Sequence, residues 1–340
     1  MKKFIYLVLG AVALALSMAE PAVMAAVMPL SVGVLGAGIS ITPANLATLQ
    51  KGYQKVFSDT MMALRAKDAT SWRRVAQVIP SMSSSELYGW LADIGGIRKW
   101  LGDRVVKSLS AGGFEITNDQ YEETIGIKRT AIEDDKLGIY LPRVQQMAQN
   151  VEQFPHNNVF ALLKKADTTI CYDGQYLCDI DHPYIAADGT TQLQSNWGGG
   201  AGERWFLMCT SRIGAKPIIV QEREKFNFRA MTDLNSDHVF KKDEFLFGTD
   251  GRYGFGPGFW QLLYGSRQTL DATAYQAARA AMLTTRRDGG DVLNITPELL
   301  VVTPANEGAA RKLLSSQLVN GGESNPWAGT AEVLVVPELA

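Results

Sequence analysis

The sequence predicts an α+β fold, because segments with helical periodicity alternate with segments that have the features of strands. Apolar residues recur at helical spacing through residues 44–67. Residues 121–132 alternate in polarity instead, as in a half-exposed strand. Near the C-terminus the apolar run 299–302 reads as a buried strand, and a helix follows at 304–315. With 340 residues, 46% of them hydrophobic, the chain can bury a substantial core and form about two domains.

The N-terminal third begins with a helix and continues into extended structure. Thr42 and Pro43 suit the N-cap and first turn of the helix at 44–67. Residues 72–79 predict a strand that Pro80 closes.

A long helical pattern follows the strand at 121–132. Acidic residues at 133–135 favour a helix start, because the helix dipole stabilises negative charge there. The pattern continues to residue 165, and Pro142 and Pro155 are predicted to interrupt it.

Shorter elements are predicted in the C-terminal half. A polar glycine loop is expected at 196–202 and a second helix at 271–285. Strands are expected at residues 169–172, 205–209, 218–221, 299–302 and 333–336.

Two segments favour contact with other protein. Residues 81–117 are polar and bounded by glycines, so we expect a projecting hairpin or loop without a core of its own. Its basic residues alternate with Trp100 and aliphatic residues, which is typical of a solvated face or of an inter-subunit contact. Residues 242–266 combine six glycines with large aromatic residues. Either a curved loop docked on a partner or an internal turn region of one globule fits that composition.

Composition and the N-terminus bear on partners and location. Thirty-three basic and thirty-five acidic residues give a formal net charge of -2, which excludes strong non-specific nucleic-acid binding. The spacing of Cys171, Cys178 and Cys209 indicates neither a disulfide framework nor a zinc site, so a reducing compartment fits best. Residues 1–40, however, begin with two lysines and an apolar run typical of a secretory signal. An upstream extension of the domain is the competing interpretation.

The motifs that could carry chemistry are weak, so we expect no enzyme, no cofactor and no metal site. Residues 32–38 resemble a dinucleotide-binding turn, but the third glycine position is Ile41, and the acid expected on the ribose, Asp59, falls within a helix. Asp179, Asp181 and His182 could bind a metal, although a structural turn before Pro183 is the simpler interpretation. No serine lies in a nucleophile-elbow pattern.

From Ile41 to Ala340 the chain resembles the major head (capsid) subunit of Mu-like tailed phages, the T protein family. The segments that carry the resemblance occur in family order: ITPANLATLQKGY, YGWLADIGGIRKWLGDR, YEETIGIKRTAIEDDKLGIY, CYDGQYLCDIDHP, KDEFLFGTDGRYGFGPGFWQLLYGS, LLVVTPANEGAARKLL and NPWAGTAEVLVVP. The resemblance implies the tailed-phage major capsid fold, which is Hong Kong 97-like. The leader of about forty residues departs from the family pattern.

The resemblance also implies a division of the chain. In chain order we expect a leader at 1–40, an N-terminal arm and first strand at 41–80, an extended loop at 81–120, a peripheral domain with a spine helix at 121–168, an axial domain at 169–265, and a return through both domains at 266–340.

By the same resemblance the chain is expected to self-assemble into the icosahedral shell that encloses phage DNA. Expected partners are other copies in hexamers and pentamers, a scaffold or maturation protease, a portal and a decoration protein, with no stable membrane association. We expect it in the virion, and in the host cytoplasm during assembly. Two alternatives are an exported prophage-derived binding protein and a dinucleotide-binding enzyme. The candidate inter-subunit contacts are Trp90, Arg98, Trp100, Arg104, Lys107, Phe255 and Trp260.

Overall fold

The computed structural model describes residues 40–68, 72–88, 114–134, 137–319 and 322–340. In these ranges the α-helices are α1 Pro43–Asp68, α2 Trp72–Val75, α3 Arg129–Glu133, α4 Leu137–Lys164, α5 Asp237–Lys242, α6 Ala272–Thr284 and α7 Glu307–Ser315. The strands are β1 Ala76–Pro80, β2 Ser85–Leu87, β3 Glu115–Thr117, β4 Asp119–Lys128, β5 His182–Ile185, β6 Thr191–Gln194, β7 Trp197–Gly200, β8 Trp205–Met208, β9 Ile218–Met231, β10 Glu244–Pro257, β11 Leu263–Arg267, β12 Leu299–Val302, β13 Leu318–Val319, β14 Glu323–Ser324 and β15 Glu332–Val335.

The chain divides into two compact units, each built from three separate stretches. The first contains the chain up to Leu64 together with Glu122–Val151 and Asn227–Asp250. The second contains Arg65–Tyr121, Glu152–Phe226 and Gly251–Ala340. The strand orders are β1-β9-β10-β4 in a four-stranded sheet and β15-β12-β8-β11-β7 in a five-stranded one.

Helix α1 confirms the predicted N-terminal helix and its cap. The Thr42 hydroxyl oxygen accepts a hydrogen bond from the Asn45 amide at 3.2 Å, which satisfies one of the free amides of the first turn. The buried face carries Leu46, Leu49, Tyr53, Val56, Phe57 and Met61 at the predicted helical spacing. Asp59 lies in this helix and pairs with Lys55 at 2.6 Å, as expected for a surface acid. The glycine motif at residues 32–38 lies outside the described residues.

The five-stranded sheet forms the core of the second unit. Its central strands β8 and β12 pair antiparallel and are buried along their whole length. Successive residues point to opposite faces, so Phe206 and Val301 enter one apolar cluster while Trp205 and Leu300 enter another. Burial on both faces explains why these strands read as continuous apolar runs. The strands predicted at 205–209, 299–302 and 333–336 are confirmed, as are the helices at 271–285 and 304–315.

The predicted breaks at Pro142 and Pro155 are wrong, because α4 runs without interruption from Leu137 to Lys164. A proline inside a helix costs about 3 kcal/mol. Full burial of one large apolar side chain returns about 1.5–3 kcal/mol, and α4 buries many of them: Val144, Met147, Val151, Val159, Phe160 and Leu163. Packing therefore outweighs the local preference.

Several strand boundaries also differ from the predictions. Residues 72–75 form a helical turn, since Trp72 and Val75 are both buried at helical spacing, and the strand begins only at Ala76. Strand β4 ends at Lys128 rather than near 132, and the Arg129 side chain and amide bind Asp243 where the turn of helix begins.

Two predicted segments in the C-terminal half have another structure. The predicted glycine loop contains strand β7, whose Trp197 pairs with Gly265. In the segment 169–172 only Ile170 has a strand contact, an isolated bridge to Tyr176.

The glycine and aromatic segment 242–266 is not a curved loop. Most of it is the long strand β10, in which Phe245, Phe247 and Tyr253 are buried. The glycines allow close approach of other backbone: a Cβ on Gly254 would lie 2.6 Å from the carbonyl oxygen of Thr117. The segment is therefore internal, as in the alternative of an internal turn region of one globule, but it forms a strand rather than a turn region.

Candidate functional site

The structure describes the two ends of the predicted extended loop, and these ends form the candidate site. Strands β2 and β3 pair antiparallel, with Ser85 opposite Thr117 and Leu87 opposite Glu115. One further hydrogen bond, from the Tyr88 amide to the Phe114 carbonyl at 2.9 Å, continues the ladder toward the loop. We call residues 81–88 together with 114–118 the loop root. Five of the predicted contact residues lie outside the described residues: Trp90, Arg98, Trp100, Arg104 and Lys107.

The side chain of Gln221 on β9 forms hydrogen bonds with both strands of the loop root. Its side chain is fully buried. The amide oxygen accepts from the Tyr88 hydroxyl at 2.9 Å, and the amide nitrogen donates to the Ile116 carbonyl at 3.0 Å and to the Asn118 side-chain oxygen at 3.1 Å. Burial raises the pKa of Tyr88 to about 12, with the nearby Glu86 carboxylate as a second cause, so its hydroxyl remains a donor at neutral pH. One side chain thus ties both strands of the root to the subunit.

The turn before β2 is organised by the exposed carboxylate of Glu86. Its Oε1 accepts from the Met82 amide at 2.9 Å, the Ser83 amide at 3.2 Å and the Ser81 hydroxyl at 3.0 Å. These hydrogen bonds, led by that of the Met82 amide, lower the pKa of the Glu86 carboxyl. The stability that the carboxylate adds is present above its ordinary value of 4.5, and it is lost as the pH falls through the lowered value.

Exposed apolar side chains flank the loop root. Met82, in the turn before β2, is 94% exposed, and Leu87 is 66% exposed, on the face of β2 opposite the one that pairs Glu86 with the buried Ile116. Sequence reasoning missed both residues, although strand alternation would have placed Leu87 outside once β2 was recognised. Elsewhere in the described chain the most exposed large apolar residues are Met62, Ile180, Leu193, Ile213 and Phe240.

The two remaining predicted contacts pack within the subunit. Trp260 is 3% exposed, and its ring stacks on His182 with 3.8 Å between centroids. Phe255 is half-buried, and its ring meets Phe154 of helix α4 in an edge contact at 5.6 Å. The core of its own subunit already surrounds the Trp260 ring, and its role between subunits stays a prediction. The role of Phe255 stays a prediction.

Of the residues weighed as metal ligands, Asp179 and His182 form hydrogen bonds within the subunit, while Oδ1 of Asp181 is buried without a hydrogen-bond partner in the part of the chain that the structure describes. Asp179 accepts from the amides of Tyr176 and Ile180, which closes a turn. His182 bonds Asp173 and Asn196. Among the described residues, no three His, Cys, Asp or Glu side chains are grouped closely enough to hold a metal ion. Burial raises the pKa of the Cys171 and Cys178 thiols, which disfavours the reactive thiolate.

A cavity of about 330 Å³ lies beside the hairpin β5–β6 in the second unit. It is lined by Tyr172, Asp173, Tyr184, Trp260, Gln261, Arg286 and Asp288, among others. Several of these groups already have partners, since Tyr172 donates to Gln261 and Asp288 accepts from the Ile185 amide. For the part of the chain that the structure covers, no helix combines the length and apolar character needed to cross a bilayer.

Comparison with known proteins finds sequence relatives of this chain in one protein family. Residues 46–339 match the family described as Mu-like prophage major head subunit gpT. The Mu-like prophage FluMu major head subunit of Haemophilus influenzae is 35% identical over 286 residues, which cover 82% of this chain and 91% of the relative. The major capsid protein of Escherichia phage Mu is 35% identical over 309 residues, or 88% of this chain and 99% of that protein.

Solved structures agree with the sequence relatives. A chain from the procapsid of bacteriophage JBD30 superposes with a TM-score of 0.76 at 39% identity, covering 88% of this chain and all of that one. A chain of the JBD30 capsid gives a TM-score of 0.67 at 29% identity, covering 89% of this chain and again all of the other.

Proposed function

This chain belongs to the Mu-like prophage major head subunit gpT family, and from that membership we propose how it builds a shell. It is a structural capsid protein of the virion with the tailed-phage capsid fold, and not an enzyme. In the proposal, many copies form hexamers and pentamers through heterologous contacts whose rotations close into an icosahedral shell.

The extended loop is the proposed principal contact between subunits, and the loop root is the observation that supports it. Gln221 and Glu86 fasten both ends of the loop, so the segment between residues 88 and 114 starts and finishes at one place on the subunit. Anchoring of this kind lowers the entropy that a loop loses when it docks. The docking residues in this proposal are Trp90, Arg98, Trp100, Arg104 and Lys107.

Met82 and Leu87 extend the proposed contact onto the described chain. Both are largely exposed in the isolated subunit and belong to the loop root. Burial of such side chains in an assembly contributes about 25 cal/mol for each Å² of apolar surface removed from water. A small gain per contact shifts assembly strongly, because every subunit repeats it.

The other proposed partners of this chain are those that the family resemblance implies. A scaffold or maturation protease, a portal and a decoration protein would act on or attach to the shell. The net charge of -2 suits subunits that crowd together around DNA without binding its sequence. Assembly would take place in the host cytoplasm, so the segment 1–40 would be an extension rather than an export signal.

Deleting residues 1–40 is expected to leave folding and assembly intact, since α1 begins with its own cap at Thr42. Particle yield of the truncated and full-length chains, compared by sedimentation, checks this. A soluble truncation that forms no particles, beside a full chain that does, would show that the leader is a structural arm.

Electron microscopy of the purified full-length chain tests the function itself. We expect capsomers, tubes or closed shells at high protein concentration. A chain that stays monomeric under every condition, alone and with the other head proteins of its phage, would contradict the proposed self-assembly.

Replacing Trp100 and Arg104 together with alanine is expected to abolish most assembly and leave the subunit folded. Trp and Arg are frequent interface anchors, and truncation of each at a buried hot spot commonly costs about 2 kcal/mol or more. Sedimentation measures the particles and thermal melting measures the subunit. The control is Arg311→Ala, which removes an exposed helix-surface arginine. Parent-like particle yield in the double variant would reject the contact, and a large fall in Tm would place Trp100 in the core of the subunit.

A further inference from the structure

His182 is fully buried, and both of its ring nitrogens face hydrogen-bond partners. Nδ1 lies 2.6 Å from Oδ2 of Asp173, and Nε2 lies 3.2 Å from the side-chain oxygen of Asn196. The ring stacks on Trp260 with 3.8 Å between centroids and an angle of 8° between planes. A neutral imidazole has one N–H and therefore can donate to only one of these two oxygens.

The orientation of the Asn196 amide is set by its other neighbours. Its nitrogen donates to the carbonyls of Leu177 at 2.8 Å and Trp260 at 3.2 Å, while its oxygen accepts from the Asp179 amide at 2.8 Å. If the Asn196 amide were flipped, its oxygen would face the carbonyl oxygens of Leu177 and Trp260, and its nitrogen would face the Asp179 N–H. Both arrangements are repulsive. The atom that faces His182 is thus an acceptor, and Nε2 must carry a proton to bond it.

Asp173 is likewise placed as an acceptor. Its Oδ1 accepts from the Gln175 amide at 3.2 Å, while Oδ2 faces His182. An imidazole is a stronger base than a carboxylate, so the proton between the two groups belongs to the ring. We propose that His182 is a buried imidazolium that binds Asp173, Asn196 and Trp260 together. We call these four residues the ionic staple.

The staple lies at the base of the hairpin β5–β6, whose two strands are also hydrogen-bonded to residues 286–289. The hairpin β5–β6 has only two strands, and such hairpins are marginal without packing. Its Ile185 and Leu193 are 47% and 63% exposed, so they add little apolar burial in the isolated subunit. His182 is the first residue of β5, and it connects the hairpin to the turn that precedes it and to the residue before β7.

Charge on the ring is compensated locally. Asp173 forms the ion pair, and the Trp260 face contributes a cation–π contact. Other ionisable groups lie near the pair of His182 and Asp173. Those on the same stretch of chain are Tyr172, Asp179 and Asp181. Those on a later stretch that also lines the cavity are Arg286, Arg287 and Asp288. If the His182 ring lost its Nε2 proton, the lone pair on Nε2 would face a lone pair on the side-chain oxygen of Asn196, and the two would repel each other. The hydrogen bond to Asn196 therefore depends on the Nε2 proton.

Nitrogen-15 NMR of the full-length chain labelled at histidine tests the charge directly. The chain has three histidines, and loss of one ring signal in the His182→Gln variant assigns the buried one. We expect protons on both ring nitrogens of His182 at neutral pH. A ring nitrogen of His182 that carries no proton at neutral pH would overturn the proposal.

Hydrogen exchange tests whether the staple stabilises the segment 168–196. In His182→Gln, amides of residues 168–196 are expected to exchange about tenfold faster or more, because a buried charge pair has lost one partner. The matched control is His156→Gln, which removes a half-buried histidine paired with Glu338 at 3.2 Å and should leave this segment unchanged. Equal protection of residues 168–196 in both variants would overturn the staple. If His182→Gln does not fold, the ring signals lost in His156→Gln and in His238→Gln assign His182 by elimination among the three histidines, and the NMR result on the parent chain decides.

Discussion

Replacing Gln221 with alanine is expected to destabilise the subunit by about 3 kcal/mol and to reduce assembly further. Three groups lose their hydrogen bond to the Gln221 side chain at once: the Tyr88 hydroxyl, the Ile116 carbonyl and the Asn118 amide oxygen. Each buried polar group left unsatisfied costs about 1–3 kcal/mol. Because these groups belong to both strands of the loop root, the loop also loses the anchoring that favours docking.

Denaturant unfolding measures the stability of this variant, and sedimentation measures its assembly. Gln120→Ala is the matched control, since it removes the same amide from an exposed position on β4 and should change stability by no more than about 0.5 kcal/mol. Similar unfolding midpoints for the two variants would show that the Gln221 network adds nothing. Loss of stability with normal assembly at equal folded concentration would instead separate the loop root from the contact between subunits.

Gly258→Ala is expected to destabilise the subunit by about 3 kcal/mol, the upper part of the range for overpacked cores. A Cβ at this position would lie much closer to the Lys216 carbonyl oxygen than the van der Waals contact distance of carbon and oxygen, and 3.1 Å from the Pro217 carbonyl carbon. These are backbone atoms that cannot rotate away, and the Gly258 amide donates to the Pro217 carbonyl at 2.8 Å. Relief of the clash would therefore break that hydrogen bond.

The control for this substitution has the opposite expected sign. Gly308 lies in helix α7, and a Cβ there would have no neighbour within 4 Å. Gly308→Ala should stabilise the chain by about 0.5 kcal/mol, because alanine loses less backbone entropy in a helix than glycine does. Thermal melts of the two variants check the pair of predictions. A neutral Gly258→Ala would mean that the backbones are further apart than the structure places them.

Local signals in the sequence predicted the long helices and the buried strands well. Helix α1 has a cap, a first-turn proline and a regular apolar face, all of which lie within a few residues of each other. Strand β12 is apolar at every position because both of its faces are covered. The family resemblance, carried by segments spread over the chain, predicted the capsid function that the comparisons show.

Errors arose where distant residues decide the local structure. Pro155 was expected to end a helix, but the burial of Phe160 and Leu163 keeps the helix continuous. The glycines near residue 250 were expected to make a loop, and they instead admit neighbouring backbone against a long strand. Neither outcome can be read from a window of sequence, because the compensating contacts come from residues far along the chain.

For this protein the amino-acid sequence by itself determined the family, the capsid function, the N-terminal helix and the apolar strands, since these depend on local pattern and on motif order. Only the tertiary structure decided that Trp260 belongs to the core, that Gln221 fastens both strands of the loop root, and that His182 meets two acceptors. Those features join residues separated by up to 133 positions. Hydrogen-bond partners at such separation are set by how the chain packs, and no local preference encodes them.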